Sequence, residues 1–244
     1  MAHIEIKADL EFDDPVLVEG LPGVGLVGKI ATDHLIQTLE MEYYGAVHCD
    51  GLAQVAVYEQ GERTLRPPVR IYADETRDLL ALQSDIPVSP SSAPHFADCL
   101  VGFFEENNVL PLCLSGLPQQ KEGAAKLYGV GTGVGADRLE ALDIVPPAES
   151  GLISGPTGAL LAEAGEQNLD TVGLIVQANA KFPDPEAARI LLVEGIEPLA
   201  DIEIETDLLV EQAEEIATAR EQLAKRMQQA DEGSTQAQPL GMYQ

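Results

Sequence analysis

Residues 16–39 read VLVEGLPGVGLVGKIATDHLIQTL. Val16-Leu17-Val18 has the composition of a buried strand, and Glu19-Gly20-Leu21-Pro22-Gly23 is predicted to turn it. From Val24 onward the apolar residues Val24, Val27, Ile30, Ala31, Leu35 and Leu39 recur at helical spacing. Gly23, Gly25 and Gly28 therefore stand where a strand hands over to a helix. At such a place the backbone comes close either to an anion or to another element of the fold.

The pattern is literally Gly-x-Gly-x-x-Gly, which in a dinucleotide site is followed about 20 residues later by an acid for the ribose. Asp50 follows Gly28 by 22 positions, after a possible second strand from Tyr43 to His48. Two features oppose that reading. Pro22 removes an N–H from the loop that would cradle phosphate. Beyond Asp50, Gln54–Tyr58 and Val69–Ala73 look like the arms of a hairpin joined through Glu59-Gln60-Gly61-Glu62, where a crossover helix is required. The reading adopted is structural: the loop of Gly20, Pro22, Gly23, Gly25 and Gly28 lets a helix pack tightly on a sheet. No cofactor is expected.

The rest of the 244 residues suits a single domain with a sizeable core, since 45% are hydrophobic. No apolar run approaches the roughly 20 residues that span a bilayer. Met1–Leu10 carries Glu5 and Asp9 and lacks the apolar core of a signal peptide, so a cytoplasmic protein is expected. Forty-one acids against 14 bases give a formal charge of −27, with acids spread along the whole chain. Such a surface repels nucleic acid and anionic membranes, which excludes both as partners. It suits a multimolar-salt cytoplasm, where screening acts within a few Å, and a halophilic origin is expected. No acidic cluster has the spacing of a calcium loop, and no metal is expected. Cys49, Cys99 and Cys113 sit in or beside apolar runs without paired spacing, and are expected as buried free thiols, not disulfides or a zinc site. His3, His34, His48 and His95 form no ligand motif and are expected at the surface or at caps.

In chain order, residues 4–12 alternate like an edge strand. Asp78–Ser84 is a further apolar run, followed by an extended loop from Asp85 to Pro94. His95–Asn107 is an amphipathic helix with Phe96, Leu100, Phe103 and Phe104 inward, and Val109–Leu114 is a buried strand. The glycine-rich stretch from Leu127 to Gly133 lacks the Lys-Ser/Thr of a P-loop and reads as a strand end and turn. Helices follow from Asp137 and after Gly158, with a buried strand over Thr171–Gln177. Asp184-Pro185 begins another helix by a cap and a first-turn proline. Strands alternating with helices predict a single layered α/β domain over residues 1–206, with a largely parallel mixed sheet and the hairpin as its antiparallel part. Residues 207–230 form a C-terminal helix, in which Leu209, Ala213, Ile216, Arg220, Leu223 and Met227 alternate by four and three. That stripe packs on the body or on a sister subunit. Residues 231–244 are polar and read as a flexible tail.

Three segments carry a resemblance: Glu19–Gly28 (EGLPGVGLVG), Ile153–Gly158 (ISGPTG) and Pro183–Ala188 (PDPEAA). In this order, and over about residues 10–230, the chain resembles the archaeal proteasome assembly chaperone family. The resemblance implies an α/β fold akin to nucleoside phosphorylases, assembly into homo-oligomers and no demonstrated catalysis. Some relatives are ATP-independent factors that insert a C-terminal hydrophobic-tyrosine-any (HbYX) motif into pockets between α-ring subunits of the proteasome core particle. Met242-Tyr243-Gln244 fits that motif. A 12-residue tether, Ala230–Gly241, would reach roughly 20 Å as a flexible coil. The alternative is a phosphate- or nucleotide-binding enzyme using the glycine loops around Gly25, Gly131 and Gly155. Its phosphate ligand, base or nucleophile would be drawn from Lys29, Arg138 and Ser154, which no spacing links.

Overall fold

The structure is a computed structural model that describes residues 3–58, 61, 63–119 and 123–213. The first β-α passage is β1 (His3–Ile6), β2 (Val16–Gly20), α1 (Val27–Thr38), β3 (Glu42–His48), β4 (Val69–Asp74) and β5 (Leu79–Ser84). There follow α2 (Ala93–Glu106), β6 (Leu110–Pro118), β7 (Leu127–Thr132), α3 (Val134–Ala141), α4 (Gly155–Glu166) and β8 (Thr171–Ala178). A helical run closes the series: α5 (Pro185–Ile190), a π-helical turn over Leu191–Ile196, and α6 (Glu197–Ala200). The π turn lies just ahead of Pro198, which has no N–H to return to Glu194 and whose ring would crowd that carbonyl in an α-helix.

One eight-stranded sheet has the order β1-β3-β4-β5-β2-β6-β8-β7. β5, β2, β6 and β8 run parallel in the middle. β4, β3 and β1 extend it antiparallel on one side and β7 on the other. It is thus an α/β domain with a mixed sheet, whose parallel part is its centre. β2, β4 and most of β5 and β8 are buried along their length, as strands covered on both faces must be.

Alternation along β2 divides the core in two. Val16 and Val18 join Val27, Ala31 and Leu35 of α1 and Ala187, Ala188 and Leu191 of the α5 run on one face. Leu17 points the other way, into Phe96, Leu100 and Phe104 of α2 and Leu160 of α4. The four residues expected inward on the phenylalanine helix are all buried. Residues 207–213 are helical, and Leu209 is buried in the α1 face of the body, so the first position of the heptad-like stripe packs on this chain itself. Ala213 is partly buried on the same helix; the stripe from Ile216 onward and the tail lie outside the described residues.

Several expectations are corrected. Glu19 and Gly20 do not turn the chain: they are the last two residues of β2, fully inside the sheet. Gln54–Tyr58 is no strand. β4 pairs antiparallel with β3 and β5, and among the described residues of the chain between β3 and β4 there is one isolated bridge, Val57 to Arg66. Pro67 and Pro68, which have no N–H to donate, stop the ladder there. Cys49 and Cys99 are not free thiols but a disulfide: the end of β3 and the middle of α2 meet with their Cα atoms 6.2 Å apart, a proximity that a separation of 50 residues conceals. Cys113 is free and buried. His34 is no surface residue either. It is buried on α1, and its Nε2–H donates to the Glu205 carbonyl at 2.6 Å, tying residue 205 to the body.

Candidate functional site

The carboxyl ends of the parallel strands β2, β6 and β8 converge on the glycine loop. Gly23 is extended and exposed. Gly25 is buried with φ +64°, a left-handed conformation that costs most side chains 1–2 kcal/mol. A Cβ on Gly25 would stand 3.1 Å from Ala178 Cβ at the end of β8 and 3.2 Å from the Asn179 carbonyl oxygen. On Gly28 it would meet Leu114 Cβ of β6 at 3.3 Å and the Leu21 carbonyl oxygen at 3.4 Å. Gly20 lies against the Thr32 side chain of α1, and Gly116 of β6 against the Val24 backbone. The close approach made by these glycines is thus to the chain's own sheet.

A second strand-to-helix junction locks the loop from the side. The Asp184 backbone N–H donates to the Gly25 carbonyl at 2.8 Å. The Asp184 carboxylate accepts from Ala187 N at 3.2 Å, capping α5, and from Asn179 N at 2.8 Å. The cap expected at this aspartate therefore also holds the glycine loop. Pro22 is partly buried on the same loop.

Beneath the loop, on the face covered by α2 and α4, lies a buried acid that sequence reading placed in a turn. Glu19 is fully buried, its Oε2 accepts from Leu114 N at 3.0 Å and its Oε1 from the Thr157 hydroxyl at 2.8 Å. Burial raises its pKa to about 8, although both hydrogen bonds pull the other way. Cys113 of β6 is its neighbour in register, and burial together with the Glu19 charge pushes that thiol well up. The available signal was a charged residue ending an otherwise apolar strand.

A charged network occupies the other flank, at the ends of β5 and β4. Arg70, buried on β4, pairs with Asp85 at 2.8 Å and donates to Gln83 Oε1 at 2.6 Å and to the Pro67 carbonyl at 2.8 Å. Lys29 of α1 reaches Asp33 at 2.8 Å and Asp85 at 3.3 Å, and Gln83 Nε2 donates to Asp33 at 2.8 Å. These cations serve the fold's own carboxylates.

The three candidates for phosphate chemistry are not brought together. Lys29 is on α1, on one face of the sheet. Ser154 precedes α4, on the other. Arg138 is exposed on α3 beside β7, three strand positions from β2. Asp50 is exposed after β3, also three positions from β2. Among the described residues no group of three or more His, Cys, Asp or Glu is arranged to hold a metal ion, and no helix is long and apolar enough to cross a membrane. Met242, Tyr243 and Gln244 lie outside the described residues.

The model of the PAC2 family matches residues 17–224. An uncharacterized protein of Methanocaldococcus jannaschii, MJ0106, is 32% identical over 191 residues, 76% of either chain. Among solved structures, Pyrococcus furiosus PbaA, described as an archaeal homolog of proteasome-assembly chaperone, superposes with a TM-score of 0.79. It is 25% identical, over 94% of this chain and 95% of its own. Pyrococcus furiosus PbaB, an archaeal proteasome activator, is 22% identical over 91% of this chain and 98% of its own, with a TM-score of 0.76, and shows the same fold.

Proposed function

We propose that this chain, which belongs to the PAC2 family, is a non-enzymatic proteasome-binding protein, an assembly chaperone or an ATP-independent adaptor. The observation that carries the reading is its likeness to a proteasome-assembly chaperone homolog over 94% of its length at 25% identity. The site geometry supports it from the other side: the glycine loop, its aspartate lock and the buried glutamate all spend their polar groups on the fold itself.

The working end in this proposal is Met242-Tyr243-Gln244, entering pockets between α-ring subunits of the core particle. Tyr243 supplies a stiff ring with a polar tip, Met242 an adaptable apolar contact and a terminal carboxylate a charge for a pocket lysine. Several copies of the tail on one homo-oligomer bind by avidity, so each alone can be weak. The halophilic setting read from the −27 charge belongs to the same proposal.

The test is co-purification with the α-ring in molar KCl. Intact protein is expected to retain the core particle, and Tyr243→Ala or deletion of residues 242–244 to lose it, with unchanged circular dichroism and light scattering. If the intact protein retains no core particle, the proteasome reading fails. If the truncated protein retains it equally, only the tail assignment fails.

A further inference from the structure

We propose that Cys49 and Cys99 are a reversible thiol–disulfide pair whose oxidised form clamps residues 49–58 onto α2. Cys49 directly follows β3, where the chain leaves the sheet and does not return until Val69 opens β4. Among the described residues of this excursion the backbone makes one bridge to itself, Val57 to Arg66. At its far end Arg66 lies 4.7 Å over the Tyr43 ring and the Pro67 carbonyl accepts from Arg70. Its near end is held differently. There the disulfide joins it to α2, backed among the described residues by one neutral hydrogen bond, Ser92 Oγ to the Gly51 carbonyl at 2.9 Å, and by the partly buried Leu52. The stretch so held presents Val55 and Tyr58 to solvent. The bond therefore fixes where an exposed apolar pair stands relative to α2.

Three features make the pair exchangeable and confine the exchange to it. Cys99 is partly exposed on α2 while Cys49 is buried, so an external thiolate has one accessible sulfur to attack. Cys113 cannot compete: it is fully buried between the sheet and the helices that cover it, and burial beside Glu19 keeps it a thiol. The domain also has two extensive apolar clusters and does not need a covalent staple to fold, so opening the bridge releases a segment and not the core.

The chemistry balances with an external dithiol as reductant. Its first thiolate attacks Cys99 Sγ, and the S–S electron pair leaves on Cys49 Sγ, which takes up a proton. The second thiol of the reductant loses its proton and attacks the mixed disulfide, expelling Cys99 as a thiolate that is protonated in turn. Two electrons and two protons pass to the pair, and the dithiol departs as its own disulfide. Oxidation is the reverse, with a disulfide of the same class as acceptor.

The experiment uses the full chain in molar KCl, equilibrated with mixtures of reduced and oxidised dithiothreitol. Thiol counting after denaturation is expected to give one thiol in the oxidised protein and three in the reduced, in both directions of the titration. Amides of residues 50–58 are expected to exchange with deuterium at least tenfold faster in the reduced protein, with those of α4 unchanged. Cys99→Ser should show the fast exchange in either buffer, and Cys113→Ser should keep the redox response of the parent. Three thiols in oxidising buffer would overturn the proposal, as would a bridge that does not reform after reduction. So would equal exchange of residues 50–58 in the two redox states.

Discussion

Thr157, in the first turn of α4, donates its hydroxyl hydrogen to Glu19 Oε1 at 2.8 Å, so a carboxyl group in the central strand anchors the helix that covers it. The second oxygen accepts from Leu114 N on the neighbouring strand. One side chain thereby joins β2, β6 and α4, and the family resemblance had rested on both ends of this contact without relating them.

The sign of the resulting pH dependence follows from the raised pKa. Glu19 moves from its ordinary 4.5 to about 8 in the folded chain, so the folded state binds this proton more tightly than the unfolded state throughout that interval. Its contribution to stability is fullest below 4.5 and is lost as pH rises through about 8, by an amount on the order of several kcal/mol. Glu19→Gln places a neutral isostere at the same two partners. The expected result is that urea denaturation midpoints fall between pH 5.5 and 8.5 for the parent and much less for the variant. Parallel slopes for the two proteins would refute this role for Glu19.

Gly25 and Gly23 lie two residues apart and should respond oppositely to substitution. A side chain at Gly25 meets Ala178 Cβ at 3.1 Å in a left-handed backbone, whereas one at Gly23 has nothing within 4 Å and an ordinary φ of −143°. Gly25→Val is expected to cost about 2–4 kcal/mol from overpacking and backbone strain together. Gly23→Ala should change stability by less than about 0.5 kcal/mol. Thermal unfolding of both variants decides it, and equal effects would mean that close packing is not what the glycines supply.

The strand-to-helix handover at residues 16–39, the phenylalanine helix and the capped helix at Asp184 were legible because period, turn chemistry and capping are local. Glu19 was misplaced because a charge beside Gly-Leu-Pro-Gly reads as a turn, and only the donors Leu114 N and Thr157 Oγ1, 95 and 138 residues away, make its burial tolerable. The Cys49–Cys99 bridge was hidden for the same reason: nothing local places the end of one strand against the middle of a helix. Arg70 escaped notice because two of its partners, Gln83 and Asp85, come from the end of the neighbouring strand β5, while Pro67 is local.

Self-repulsion should make the fold dependent on salt. With a formal charge of −27, the surface is screened within about 3 Å at 1 M salt but over about 10 Å at 0.1 M. Melting temperatures are expected to fall steadily as KCl is lowered from 2 M to 0.1 M, and NaCl should substitute for KCl. Sucrose of equal osmolality should restore little, because it does not screen charge. A melting temperature independent of salt would contradict the argument.

Asp184 should behave as the residue that couples the capped helix to the glycine loop. Its carboxylate accepts from Ala187 N and Asn179 N while its own N–H donates to the Gly25 carbonyl, and the residue is 8% exposed. Asp184→Ala removes a helix cap, worth about 1 kcal/mol, and leaves a second backbone donor without its acceptor, worth about 1–3 kcal/mol more. Asp184→Asn keeps one acceptor oxygen but turns an NH2 group toward the other donor, so it should fall between parent and alanine. Because the anchor and the glycine share one hydrogen bond, Asp184→Ala and Gly25→Ala should not add: the double-mutant cycle is expected to give a coupling of about 0.5–3 kcal/mol. The same cycle between Asp184→Ala and Gly23→Ala, where the added methyl meets nothing, should give none. Additivity in the first cycle would mean that the cap and the loop are held independently, and that the contact at 2.8 Å between Asp184 N and the Gly25 carbonyl transmits no energy between them.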